Sequence, residues 1–189
     1  IGQRALFNNT TADSNTAVGN SALNANTTGE TNTAVGAFSL DANTTGYNNA
    51  AVGKDALTDN TTGHSNVGLG TSALANNTTA ANNSAVGHGA MFDNTTGADN
   101  TALGYLALGD NTTADDNTGV GYKSLRSNTT GASNTAVGYH SAVNVTTGTQ
   151  NTSIGFQAGD ALTTGSYNVT MGANGGGGIT TGSQNVAVG

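Results

Sequence analysis

The chain has 189 residues with no cysteine and no proline, 8% charged residues and a net charge of −7. Only Arg4, Lys54, Lys123 and Arg126 carry fixed positive charge, too few to line a phosphate backbone, so nucleic acid is not expected as a partner. Absent cysteine removes disulfides and thiolate metal sites, and no apolar run approaches the length of a membrane span.

A strict repeat organises everything else. Asn recurs at Asn15, Asn32, Asn49, Asn66, Asn83, Asn100, Asn117, Asn134, Asn151, Asn168 and Asn185, every 17 residues without insertion. Gly follows four residues later each time, from Gly19 to Gly189, and the unit reads N-T-A-V-G-x-x-A-L-x-x-N-T-T-G-x-x. Low hydrophobicity alone would suggest disorder. A linker has no reason to hold apolar residues in phase over eleven copies, so the chain reads as one ordered, quasi-one-dimensional array spanning residues 1–189. Both ends resemble interior units, which predicts a segment of a longer fibre protein.

Within the unit, N-T-A-V-G comes first. Seventeen residues cannot hold a packed pair of helices, whose repeats run to ~33. Gly, Asn and Thr are poor helix formers. The unit therefore predicts two short strands and two bends, one turn of a parallel β-solenoid, or β-roll. Eleven such 17-residue coils, all-β and ~4.8 Å apart, make a rod of roughly 50 Å. The invariant Asn predicts a ladder in which side-chain amides bond from coil to coil. The residue before Gly is always apolar (Val18, Val35, Val52, Leu69, Val86, Leu103, Val120, Val137, Ile154, Met171, Val188) and is expected to be buried. The two positions after Gly vary and are expected to face solvent or a partner. A small residue follows in every coil, such as Ala22, Ser39 and Ala56, which predicts close chain approach.

Next in the unit are a Leu or Met and, three residues on, the Asn of N-T-T-G. That Asn forms sequons at Asn9, Asn26, Asn43, Asn60, Asn77, Asn94, Asn111 and Asn128. They read as a by-product of the bend, because the last three copies are Val145, Leu162 and Ile179. In those same units Leu becomes Ala142, Gly159 and Gly176. The coincident swap predicts that both positions share one core and that Asn128, Val145, Leu162 and Ile179 are buried. The two Thr of each bend should point to opposite faces. An outward Thr array raises an ice-binding alternative.

Along the rod, Tyr105, Tyr122, Tyr139 and Phe156 share one variable position and predict an aromatic stripe for stacking, ligand or oligomer contact. Asp93, Asp99, Asp110, Asp115 and Asp116 predict a solvated acidic patch rather than a cation site. His64, His88 and His140 sit at different repeat positions, and no catalytic constellation or cofactor fingerprint stands out. We therefore expect no enzyme and no cofactor. A glycan-processing solenoid is the weakest alternative.

The stretch T-A-V-G-x-x-A-L, at Thr16–Leu23, resembles the head repeats of trimeric autotransporter adhesins. The whole unit is similar to repeat regions of phage tail fibres and large microbial surface proteins. The resemblance covers the full chain. It implies a left-handed roll, trimeric assembly, an extracellular, cell-surface or virion location, and a shaft or head that binds a cell-surface glycan or receptor.

Overall fold

The structure is a computed structural model that describes all 189 residues. Eleven three-residue strands follow one another: β1 Thr16–Val18, β2 Thr33–Val35, β3 Ala50–Val52, β4 Val67–Leu69, β5 Ser84–Val86, β6 Thr101–Leu103, β7 Thr118–Val120, β8 Thr135–Val137, β9 Thr152–Ile154, β10 Val169–Met171 and β11 Val186–Val188. They form one parallel sheet in sequence order. The register sets Thr16 on Thr33, Ala17 on Ala34 and Val18 on Val35, so every coil advances by one repeat. The chain is an all-β parallel solenoid.

Each coil holds one strand, where the repeat had suggested two. The second extended run is broken by residues in left-handed conformation. In the second coil these are Phe38 (φ 60°) and Leu40 (φ 50°), and the same two positions repeat this down the rod. A bulky residue there is uncommon and costs roughly 1–2 kcal/mol. Full burial of the Leu side chain contributes about 1.5–3 kcal/mol, which offsets the cost at its own position. Coil-to-coil backbone bonds, such as Leu40 N–H to the Ala56 carbonyl at 3.1 Å, support the rest of the bend. The amide of Asn43 then donates to the Leu40 carbonyl at 3.2 Å, closing the turn. This bend brings Leu and the following Asn onto the same interior.

The interior is thin. Its apolar part is a column of Leu or Met, from Leu23 to Leu125, facing the inward Ala of each strand, such as Ala34 and Ala51. Where that inward residue is Gly68, a Cβ would lie 3.4 Å from Leu57, which is why nothing larger than Ala pairs with Leu. The small-residue rank is buried from Ala22 to Gly175, and Ala5 in the first coil is partly buried, in keeping with close chain approach.

The Val18 rank is the main correction. The expectation that it is buried fails: Val18, Val52, Leu69, Leu103, Val137, Ile154 and Met171 are exposed. Alternation along the strand explains it. Asn32 and Ala34 point inward, so Thr33 and Val35 must point out.

Gly is invariant at the strand's end for a steric reason. Gly104 has φ 140°, and a Cβ there would lie 2.7 Å from the carbonyl carbon of Gly121 in the next coil.

Polar ladders fill the rest. In the N-T-A-V-G rank, Oδ1 of Asn83 accepts the Asn100 amide at 2.9 Å, and Nδ2 of Asn83 donates to the Gly97 carbonyl at 2.8 Å. This ladder therefore runs chiefly from side chain to backbone, not from amide to amide as expected. Amide-to-amide bonding dominates the other Asn rank. Nδ2 of Asn43 donates to Oδ1 of Asn26 at 2.8 Å, Nδ2 of Asn60 to Asn43 at 2.8 Å, and so on to Asn128. Asn26 through Asn128 are buried, so these sequons are closed to a glycan.

Past Asn128 the interior changes, as the swap predicted. Val145 and Leu162 are fully buried, and Ile179 packs partly buried on the core. Ala142, Gly159 and Gly176 still occupy the left-handed position (φ 49°, 62° and 74°), where Gly is least strained. A third member joins the exchange. The inward strand residue enlarges from Ala to Ser153 and Thr170, and a Cβ on Gly159 would come within 2.8 Å of both hydroxyls. Oδ1 of Asn128, at the end of its ladder, is buried without a partner.

Candidate interaction surfaces

Two faces of the rod carry ordered outward side chains. The first is the outer side of the sheet. Its two columns are the Thr16 rank, which reads Thr, Thr, Ala, Val, Ser, Thr, Thr, Thr, Thr, Val, Val, and the apolar rank from Val18 to Val188. Every outward strand-end residue is Val, Leu, Ile or Met, and Leu103 is 48% exposed. Isolated exposed aliphatics are ordinary, but an unbroken line of eleven along one face is a contiguous apolar patch.

Beside that line runs the aromatic stripe. Tyr105, Tyr122, Tyr139 and Phe156 come together as expected, with ring centroids 5.3, 5.2 and 5.3 Å apart and planes within 11°. His88 extends the stack at 5.5 Å from Tyr105, and His140 lies on Tyr139 at 4.3 Å. Two of the three histidines thus join the stripe. His88 precedes Tyr105 by 17 residues, a signal that the repeat register contained. Lys123 Nζ sits 5.1 Å over the Tyr122 ring.

Stacking along the rod axis covers the ring faces and leaves their edges outward. The stripe therefore offers an edge-on apolar contact, not a row of platforms for sugar rings. From Leu103 to Phe156 each strand-end aliphatic is followed two residues on by a ring of the stripe, and both are exposed except at Val120, which is half-buried.

The second ordered face is the N-T-T-G bend. The first Thr is partly buried from Thr44 to Thr163, and its hydroxyl donates to the next coil's backbone, as from Thr95 to the Thr112 carbonyl at 3.0 Å. The second Thr, from Thr11 to Thr181, is exposed in all eleven coils. The pair thus differs in exposure, although it lies in a bend and not in a strand, so the alternation expected of a strand does not apply to it.

The acidic residues do not converge. Asp93 accepts from Asn76 at 3.0 Å, Asp99 from Asn82 at 3.0 Å and Asp115 from the Ala98 amide at 2.7 Å. Asp110 lies 3.8 Å from Arg126. These four carboxylates serve neighbouring coils, Asp116 is exposed without a side-chain bond, and no three His, Asp or Glu side chains gather where a metal ion could sit. Asp41 stands apart from these. Burial pushes its carboxyl above the usual range, outweighing the opposite effect of Asn24, and its Oδ1 has no partner.

Ten of the eleven Asn of the N-T-A-V-G rank, all but Asn185, bond the backbone of an adjacent coil, and from Asn32 to Asn168 they are buried, so they build the rod. No helix is long and apolar enough to cross a membrane. No family model matches the chain, and neither a curated protein nor a solved structure matches it.

Proposed function

We propose that the chain is a shaft segment of an extracellular fibre, a phage tail fibre or a cell-surface adhesin, in which copies associate side by side through the outer sheet face. The carrying observation is the unbroken apolar column from Val18 to Val188, exposed in eight coils and half-buried at Val35, Val86 and Val120. Covering half of one such side chain contributes about 1 kcal/mol, so eleven contribute on the order of 10 kcal/mol. The loss of translational and rotational freedom, roughly 4–15 kcal/mol, is incurred once however many coils there are. A long array therefore associates where a short one would not. Three copies is the stoichiometry that the adhesin resemblance implies, with the aromatic edges widening the contact. The fibre acts by presentation and by repeated weak contacts with a surface glycan or receptor, not by turnover and without a cofactor.

Sedimentation at micromolar concentration tests this reading. Wild type should sediment at a multiple of the 18.4 kDa chain mass. A variant with Val120→Lys and Val137→Lys should sediment as a monomer with an unchanged β circular dichroism spectrum. A monomeric wild type would refute the shaft.

Ice binding is the second reading, favoured by the exposed threonine rank from Thr11 to Thr181, whose members sit one per coil. Failure of micromolar protein to shape growing ice crystals or slow recrystallisation would eliminate it.

A further inference from the structure

The rod surface has one hollow, of about 280 Å³, lined by Thr28, Glu30, Thr31, Thr45, Tyr47 and Asn48. All six residues are exposed, so the hollow is shallow and open, with room for a single sugar ring held on one side. Its origin lies in the repeat. Gly29 and Gly46 leave the bend without side chains, and one position on stands a rank that reads Asp13, Glu30, Tyr47, His64 and then Ala81 and Ala98. Only here does a large ring rise over the bend.

The ring arrangement differs from that of the long stripe. His64 stacks on one face of Tyr47, with centroids 4.7 Å apart and planes 12° apart. The opposite face of Tyr47 looks toward the preceding coil, whose residue in the same rank is Glu30. In the long stripe the interior rings are covered on both faces. Tyr47 thus has one braced face and one face open to a hollow.

The polar lining is also free. None of the six side chains makes a hydrogen bond within the chain, while the backbone beneath is fixed by bonds such as Asn48 N–H to the Glu30 carbonyl at 3.1 Å. Three Thr hydroxyls, the Asn48 amide and the Glu30 carboxylate offer donors and acceptors around one aromatic face.

We propose that this hollow binds one uncharged hexopyranose unit of a glycan. The negative face of Tyr47 takes the C–H side of the ring. The two oxygens of Glu30 accept from adjacent sugar hydroxyls, and the threonines and Asn48 contact the rest. Glu30 and the net charge of −7 disfavour acidic sugars. The inference deepens the adhesive part of the proposed function and rests on it only there. Association through the sheet face is read by sedimentation, so either can fail alone.

Saturation-transfer NMR on the full chain tests it. The probes are the methyl pyranosides of glucose, galactose, mannose, N-acetylglucosamine and N-acetylgalactosamine, with methyl glucuronide as the acidic probe. At least one neutral probe should receive saturation at its ring C–H protons, with millimolar affinity. Tyr47→Ala should weaken that probe by about tenfold or more. Glu30→Gln should weaken it about threefold, and Tyr167→Ala, on a distant coil, should leave it unchanged. No transfer to any neutral probe would overturn the proposal. So would transfer that survives Tyr47→Ala, or glucuronide binding as well as glucoside.

Discussion

Coil by coil exchange of the interior set gives the most demanding prediction. Leu125, Asn128 and Ala136 form one set, and Ala142, Val145 and Ser153 form the next. Val145→Asn alone removes a fully buried side chain, at a cost of about 1.5–3 kcal/mol. Its amide would satisfy Oδ1 of Asn128, but its own carbonyl would then face Leu162 unpaired, so that penalty moves and does not vanish. Ala142→Leu alone forces a branched side chain against Val145 and Ser153, at about 1–3 kcal/mol. Ser153→Ala alone removes the 2.9 Å bond donated by Thr170, at about 1 kcal/mol. The single costs together come to roughly 4–7 kcal/mol on these terms. The triple variant recreates the preceding set and should cost below about 2 kcal/mol, because residues that share one cavity are not additive. Urea unfolding followed by far-ultraviolet circular dichroism measures each variant. The triple should unfold at least roughly 1 M above the midpoint expected from the summed singles. A triple variant as unstable as that sum would refute the exchange.

Three further outcomes follow from named contacts. Leu57 is buried at φ 52°, so Leu57→Gly should be no less stable than Leu57→Ala, reversing the usual order by up to about 1 kcal/mol in urea melts. Asn83→Ala strips the acceptor from the buried Asn100 amide and one of two donors from the Gly97 carbonyl, which keeps Asn94 Nδ2, and should cost about 1–3 kcal/mol; Thr113→Ala, on the surface, should cost under about 0.5 kcal/mol. Asp41 has a folded pKa raised by burial, so folding favours its protonated form. Stability should therefore fall as pH rises from the unfolded carboxylate value through the folded one. Asp41→Asn should flatten that slope and raise the melting temperature at pH 7.

The solenoid was legible because the 17-residue register is unbroken and unit length excludes helical repeats. The shared interior of Leu125 and Asn128 was legible because their replacements coincide. The outward Val rank was misread by taking apolar character as burial. Parity carried the answer: if invariant Asn32 points inward, Ala34 follows it and Val35 cannot. The small inward Ala made the core look elsewhere, yet Leu57 leaves room for nothing larger at Gly68. The missing second strand was not legible, since no propensity predicts Leu in a left-handed bend. Its backbone cost is outweighed only once the coils stack. Tyr47 passed unnoticed because its rank is otherwise small or polar. The register already sets Glu30 and His64 one repeat to either side of Tyr47, but only the folded chain shows the two rings stacked and a hollow shared with Glu30.

The central claim is that copies of the chain cover the outer sheet face. The chain has no cysteine, so single thiols report contacts without background. Val120→Cys on the sheet face and Thr113→Cys on the threonine rank should be treated with a short bis-maleimide at micromolar protein. The account predicts rapid interchain cross-linking at position 120 and little at 113. Equal rates at both positions, or none at 120 while 113 reacts, would contradict it.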